Sequence, residues 1–166
     1  DLGTGSGAIA VALARAMPDA VGHAVELSQD ALSLASRNLR RLAPQSNVVL
    51  HLGSWWQPLK PWWGSFGLVL ANPPYIPSAV LNGLDPIVRK HEPYLALYGG
   101  PDGLNAFREI IDGASRAILK GGWLMLEHHH DQSEMVLELM KKDGLKEVSF
   151  EKDLQGIRRF AIGMNP

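Results

Sequence analysis

The sequence predicts an α/β fold, a mostly parallel β-sheet with helices on both faces. Three observations carry this reading: strand-like and helix-like segments alternate along the chain, a glycine-rich turn stands at its start, and 46% of its 166 residues are hydrophobic. A chain of this size buries about 68–70% of the surface its unfolded form exposes, enough for a core without cross-links.

Ala8 to Met17 is a run of helix formers closed by Pro18-Asp19, and Val21 to Glu26 alternates small and apolar residues as a short strand. Ser28 can cap a second helix running to about Leu42. Asn47 to Leu52 is a β-branched strand, and Phe66 to Ala71 is a continuous apolar run of the buried, parallel type. From Leu104 the positions Phe107, Ile111, Ala114 and Ile118 follow helical spacing, and Gly121-Gly122 is expected to break this helix before a strand at Trp123 to Glu127. A further helix, Ser133 to Asp143, stops at Gly144. The tail holds two short strands, about Lys146 to Glu151 and Arg158 to Gly163, expected to form an antiparallel pair at the sheet edge. Ile76 to Pro101, with four prolines, shows no periodicity and reads as a long loop after a strand end, where ligands of such sheets sit.

Composition narrows the partners. Sixteen Lys and Arg against 17 Asp and Glu give a net charge of −1, so nothing asks for a nucleic-acid or membrane surface. The chain has no cysteine, which excludes disulfide scaffolds, thiolate metal sites and cysteine nucleophiles, and agrees with the reducing cytoplasm. The chain opens on Asp1-Leu2-Gly3 without the apolar strand that should lead into the turn. It is therefore expected to be one domain, 1–166, of a longer protein, lacking most of its first strand.

Gly3-Thr4-Gly5-Ser6-Gly7 lets a ligand approach the backbone at the positive end of the following helix. With Ala8 it satisfies the G-x-G-x-x-A form of a dinucleotide site, and Glu26 lies 23 residues after Gly3, near where a ribose-binding acid is expected. A carboxylate at Asp1 would repel a pyrophosphate, whereas S-adenosylmethionine offers a cationic amino group and a sulfonium. That favours the methyl donor. Glu26 can accept from both ribose hydroxyls, and Trp55, after the third strand, can pack an aromatic face on the adenine.

Asn72-Pro73-Pro74-Tyr75, directly after Phe66 to Ala71, is the most informative tetrapeptide. Asn72 precedes a proline and is held extended, which aims its amide; Pro73 and Pro74 fix φ and lack N–H groups. The result is a stiff site of acceptors. It suits an NH2 conjugated to a carbonyl or aromatic ring, a poor nucleophile that the Asn72 side-chain oxygen and the Pro73 carbonyl would orient and enrich in electron density. Tyr75 can stack on the planar group and flank a sulfonium. No strong base is required, because the methylated nitrogen sheds its proton readily, so catalysis is positioning and polarisation. A glutamine amide fits this description, and so do adenine-N6 and guanine-N2 of RNA or DNA.

The chain resembles the methyltransferase domain of the release-factor glutamine methyltransferase family (HemK type). The resemblance runs through Asp1 to Ala10, Asn72 to Ile76, Glu92-Pro93 with Ala96-Leu97, Gly99-Gly100 and Asp102-Gly103-Leu104, then Glu127-His128 with Gln132, and Asp153-Leu154 with Arg159-Phe160. It implies a Rossmann-like class I methyltransferase fold and S-adenosylmethionine held at Asp1, Gly3, Thr4, Gly5, Ser6, Gly7, Glu26, Trp55 and Asn72. The acceptor would be the glutamine of the Gly-Gly-Gln loop of a peptide-chain release factor, gripped by Asn72, Pro73, Pro74 and Tyr75. The family usually has Asp where Glu26 stands and often Asp where Ser54 stands, and it carries an N-terminal helical domain. His128-His129-His130 reads as a strand end rather than a metal site, because consecutive side chains diverge. Arg89 to Pro93 reads as a charged loop, and Arg158-Arg159 as solvated sheet edge.

Overall fold

The computed structural model describes residues 1–81, 83 and 93–166. The elements in chain order are α1 (Ala8–Ala16), β1 (Val21–Glu26), α2 (Gln29–Leu42), β2 (Asn47–Leu52), a 3-10 helix (Gln57–Trp62), β3 (Phe66–Ala71), α3 (Ser78–Leu81), α4 (Tyr94–Leu97), α5 (Asn105–Ala117), β4 (Ile118–Glu127), α6 (Ser133–Lys142), β5 (Lys146–Lys152) and β6 (Arg158–Met164).

β1 pairs parallel with β2, and β3 parallel with β4. Leu2 joins the two halves by parallel bridges to Val25 and to Ala71, so β1 and β3 stand one strand apart. The order across the sheet is thus β2, β1, Leu2, β3, β4, β6, β5. The chain runs outward in both directions from Leu2, which makes the carboxyl ends beside Leu2 a topological switch point. This is a Rossmann-like, doubly wound architecture.

Local chemistry explains the helices. Ser28 caps α2 by accepting from the Ala31 N–H at 3.3 Å, and Arg40 and Arg41 sit against the negative end of its last turn. α5 buries Phe107, Ile110, Ile111, Ala114 and Ala117 on one stripe against Leu124 and Leu126 of the central strand. Burying a side chain such as Phe107 contributes about 1.5–3 kcal/mol. Gly113 on the same helix admits the Trp56 indole, since a Cβ there would stand 2.3 Å from Trp56 Cδ1. The indole N–H donates to the Ile110 carbonyl at 2.9 Å, so Trp56 is core.

Two expectations are corrected and one is met. Gly121-Gly122 do not end a helix: α5 stops at Ala117, Ile118 already pairs with Phe66, and the glycines form an irregularity inside the ten-residue β4. Gly121 holds φ +77°, and a Cβ on Gly122 would meet the Phe66 carbonyl at 2.9 Å, so glycine serves the bulge rather than a break. The tail strands form the expected antiparallel pair at the sheet edge, with β5 outermost and β6 between it and β4. The stretch from Ile76 to Pro101 is not all loop, for it contains α3 and α4; Pro86, the charged segment Arg89 to His91 and Glu92 lie outside the described residues.

A cavity of about 540 Å³ opens on the amino-terminal side of Leu2, between Val21–His23 and Phe66–Val69, walled by Leu13, Met17 and Trp62. It lies at the opposite end of the strands from the glycine turn. No helix among the described residues is long and apolar enough to cross a membrane.

Candidate active site

The glycine turn is a closed hydrogen-bonded unit. Gly3 and Thr4 both donate to the Val25 carbonyl at 2.9 Å, Gly7 donates to Thr4 at 2.8 Å, and Leu2 donates to the Leu70 carbonyl at 2.9 Å. Gly3, Gly5 and Gly7 hold φ of +73°, +55° and +83°, which only glycine adopts freely. Gly7 also allows α1 and α2 to touch, as its Cβ would meet the Ala35 backbone at 3.1 Å. Asn38 donates to the Ser6 carbonyl at 2.8 Å and pins the turn from α2. Sequence reading missed Asn38, whose partner is 32 residues away and leaves no local signal.

Two carboxylates organise this unit. Asp1 Oδ2 accepts from the Thr4 hydroxyl at 2.5 Å and from the Ala10 N–H at 3.2 Å, while its Oδ1 is buried without a partner among the described residues. Glu26, at the end of β1, accepts from the Gly5 N–H and the Ser28 N–H, each at 2.8 Å, with one oxygen for each. Each oxygen keeps lone-pair capacity for a further donor. Trp55, in a left-handed backbone at φ +42°, lays its ring on the turn, with Cζ3 3.2 Å from where a Gly3 Cβ would stand. Asp1, Gly3 to Gly7, Glu26 and Trp55 are thus brought together as one group.

Asn72 to Tyr75 leave the carboxyl end of β3, the strand that flanks Leu2. Pro73 is fully buried and Asn72 is exposed. Among the described residues nothing hydrogen-bonds the Asn72 side-chain amide or the Pro73 carbonyl. Tyr75 is half-buried; burial first, and the Glu127 carboxylate second, push its phenol above the usual range. Burial also raises the Glu127 carboxyl, opposed by Arg159. Gln132 ties the Tyr75 carbonyl to the Gly103 carbonyl, accepting from His129 N–H on its other end. Its sequence signal was only a matching position in the resemblance.

The remaining candidates separate from this group. His128 is buried, its Nδ1 2.8 Å from the His129 carbonyl, and burial lowers its pKa. His129 pairs with Asp131 at 2.7 Å. Arg158 lies over the Phe150 ring and reaches Glu134 at 2.8 Å, and Arg159 faces Asp153 at 3.6 Å, so neither is plain solvated edge.

The glycine turn with its carboxylates and the Asn72 to Tyr75 loop stand at the carboxyl ends of neighbouring strands at the switch point, where sheets of this kind bind ligands. The chain belongs to the methyltransferase small domain family, which matches residues 1–96. It is 58% identical over its whole length to the release factor glutamine methyltransferase of Prochlorococcus marinus, and 42% identical to those of Thermosynechococcus vestitus and Caulobacter vibrioides. It spans 57% of the length of each of these relatives. Among solved structures it is similar to a methyltransferase from Pyrococcus furiosus, with TM-score 0.69 and 19% identity over 99% of this chain and 72% of that one. The catalytic domain of human Mettl16 in complex with an RNA hairpin gives TM-score 0.75 and 16% identity over 99% of this chain and 62% of that one. At these identities the likeness is one of fold.

Proposed function

We propose that this chain is the catalytic domain of a protein that transfers the methyl group of S-adenosylmethionine to the side-chain amide nitrogen of the Gly-Gly-Gln glutamine of a peptide-chain release factor, in the cytoplasm. The observation that carries the reading is Asn72: its exposed amide and the adjoining Pro73 carbonyl both lack a hydrogen-bond partner among the described residues. The identity to release factor glutamine methyltransferases supports the choice of acceptor over a nucleobase.

The residues of the turn fit the donor. The buried, unpartnered Asp1 Oδ1 suits a cationic amino group. A Cβ on Gly5 would meet nothing within 4 Å, so the turn is open to a ligand on that side. Glu26 has acceptor capacity for ribose hydroxyls, and Trp55 offers a ring face beside Gly3. When bound, the donor supplies an electrophilic methyl on a sulfonium.

Asn72 Oδ1 and the Pro73 carbonyl accept the two N–H groups of the glutamine amide, hold its nitrogen toward the methyl and raise its electron density. The amide nitrogen held by Asn72 and Pro73 would receive that methyl as it leaves the sulfur, and would release its extra proton to water. Tyr75 would shield the planar amide from solvent, and burial holds its phenol above the usual range. Incubation of the intact protein with donor and a release factor, followed by mass spectrometry, should find one added methyl on that glutamine. Labelled methyl on RNA with none on the release factor would reject the assignment.

A further inference from the structure

We propose that Gln132 is the positioning residue of the acceptor loop: its buried amide clamps the Tyr75 carbonyl against the Gly103 turn and so sets where Asn72 and Pro73 point. This rests on the reading of Asn72 to Tyr75 as the acceptor site.

Gln132 is 3% exposed, and its side chain is used on three sides. Nε2 donates to the Tyr75 carbonyl at 3.0 Å and to the Gly103 carbonyl at 3.3 Å, while Oε1 accepts from the His129 N–H at 3.1 Å. Two carbonyls and one N–H dictate the amide's orientation, since the flipped form would set oxygen against oxygen twice. Gln132 occupies the N-cap position of α6, where a side chain ordinarily bonds its own helix, yet it makes no such bond. Its amide is committed to segments 57 and 29 residues away.

The loop needs an outside tie. Pro73 and Pro74 have no N–H, so the segment cannot brace itself through those positions. Upstream it is fixed by the pairing of Ala71 in the sheet, and downstream by Ile76 N–H to Leu97 at 3.0 Å and Gly99 N–H to Ile76 at 2.9 Å. Between them the Tyr75 carbonyl is held by Gln132. Glycines make the approach possible. A Cβ on Gly103, at φ +77°, would stand 2.4 Å from the Tyr75 oxygen and 2.6 Å from Gln132 Nε2, and one on Gly99 would stand 2.8 Å from Tyr75 Cα.

The test compares wild type with Gln132→Met, which keeps length and burial but removes all three bonds, and with Gln132→Glu, in the intact protein. Three quantities are read: donor affinity by calorimetry, the single-turnover rate on a release factor, and the ionisation of Tyr75 by NMR of 13Cζ-labelled tyrosine, assigned with Tyr75→Phe. Gln132→Met should keep donor affinity within about twofold and lower the transfer rate by about ten- to a hundredfold, the range a small misplacement commands. Tyr75 should ionise at lower pH as its ring gains water. Gln132→Glu should recover rate relative to wild type as pH falls, because only the protonated acid donates to the Tyr75 carbonyl. An unchanged rate and Tyr75 titration in Gln132→Met, or a donor affinity that falls as far as the rate, overturns the proposal. If Gln132→Met does not fold, a flat pH ratio for Gln132→Glu does so instead. Should wild type leave the glutamine unmethylated, the functional reading fails, and the Tyr75 titration still decides whether the clamp exists.

Discussion

The glycine turn and the Asn72 to Tyr75 loop meet at one end of the sheet but use opposite halves of the peptide group. Around the turn, the carboxylates of Asp1 and Glu26 gather backbone N–H groups from the turn at Gly5, from α1 at Ala10 and from the start of α2 at Ser28. In the loop, two of four residues have no N–H, and what is presented is carbonyl and side-chain oxygen. The turn is braced by its own short-range bonds and by Asn38; the loop is braced from behind by Gln132. On the proposed reading, a cation-bearing donor would meet the anionic acceptors of Asp1 and Glu26 on one wall, and an NH2 the neutral acceptors of the loop on the other.

If the two regions work separately, Asn72→Ala should lower the transfer rate by about 10² to 10³ and weaken donor binding in calorimetry far less than that. A matching loss of donor affinity would merge the two walls. Asp1→Asn should act the other way, weakening donor binding by about ten- to a hundredfold, as expected for loss of a charge-assisted bond, with the rate at saturating donor nearly intact. Glu26→Gln should follow Asp1→Asn at about tenfold or less, because an amide oxygen still accepts from one partner. Full donor affinity in this variant would remove Glu26 from the binding wall.

The smallest effect concerns pH. Burial lowers the pKa of His23 and His51 on the β1–β2 side and of His128 at the end of β4 from the ordinary 6.5, so the fold disfavours the protonated rings. The unfolded chain takes up the protons first, and stability is therefore full above pH 6.5 and falls as pH drops below it. Urea midpoints at stepped pH should show this decline, and His128→Asn should flatten only the share that belongs to the acceptor side.

The strands β1, β2 and β3 and the helices α1 and α2 were legible because period and capping are local signals, and Ser28 marked its helix to the residue. The glycine turn and Asn72 to Tyr75 were legible because their chemistry is contiguous. Gly121-Gly122 misled, since two local breakers served a bulge that pairing with Phe66 decides. α3 and α4 are four residues each, too short for a period to register. Asn38 and Gln132 were invisible as roles, because each acts on a carbonyl brought near only by the fold. Glu26 was placed correctly at its strand end, but its bond to Gly5 across 21 residues was not readable from spacing.

The paired prolines have an experimental corollary. Hydrogen–deuterium exchange has no amide to report at 73 or 74, so acceptor docking at this loop would register only at the N–H groups of Asn72 and Tyr75 on either side. Peptide-level maps spanning the loop would understate any ordering there, and labels on the tyrosine ring or the asparagine amide are the better reporters.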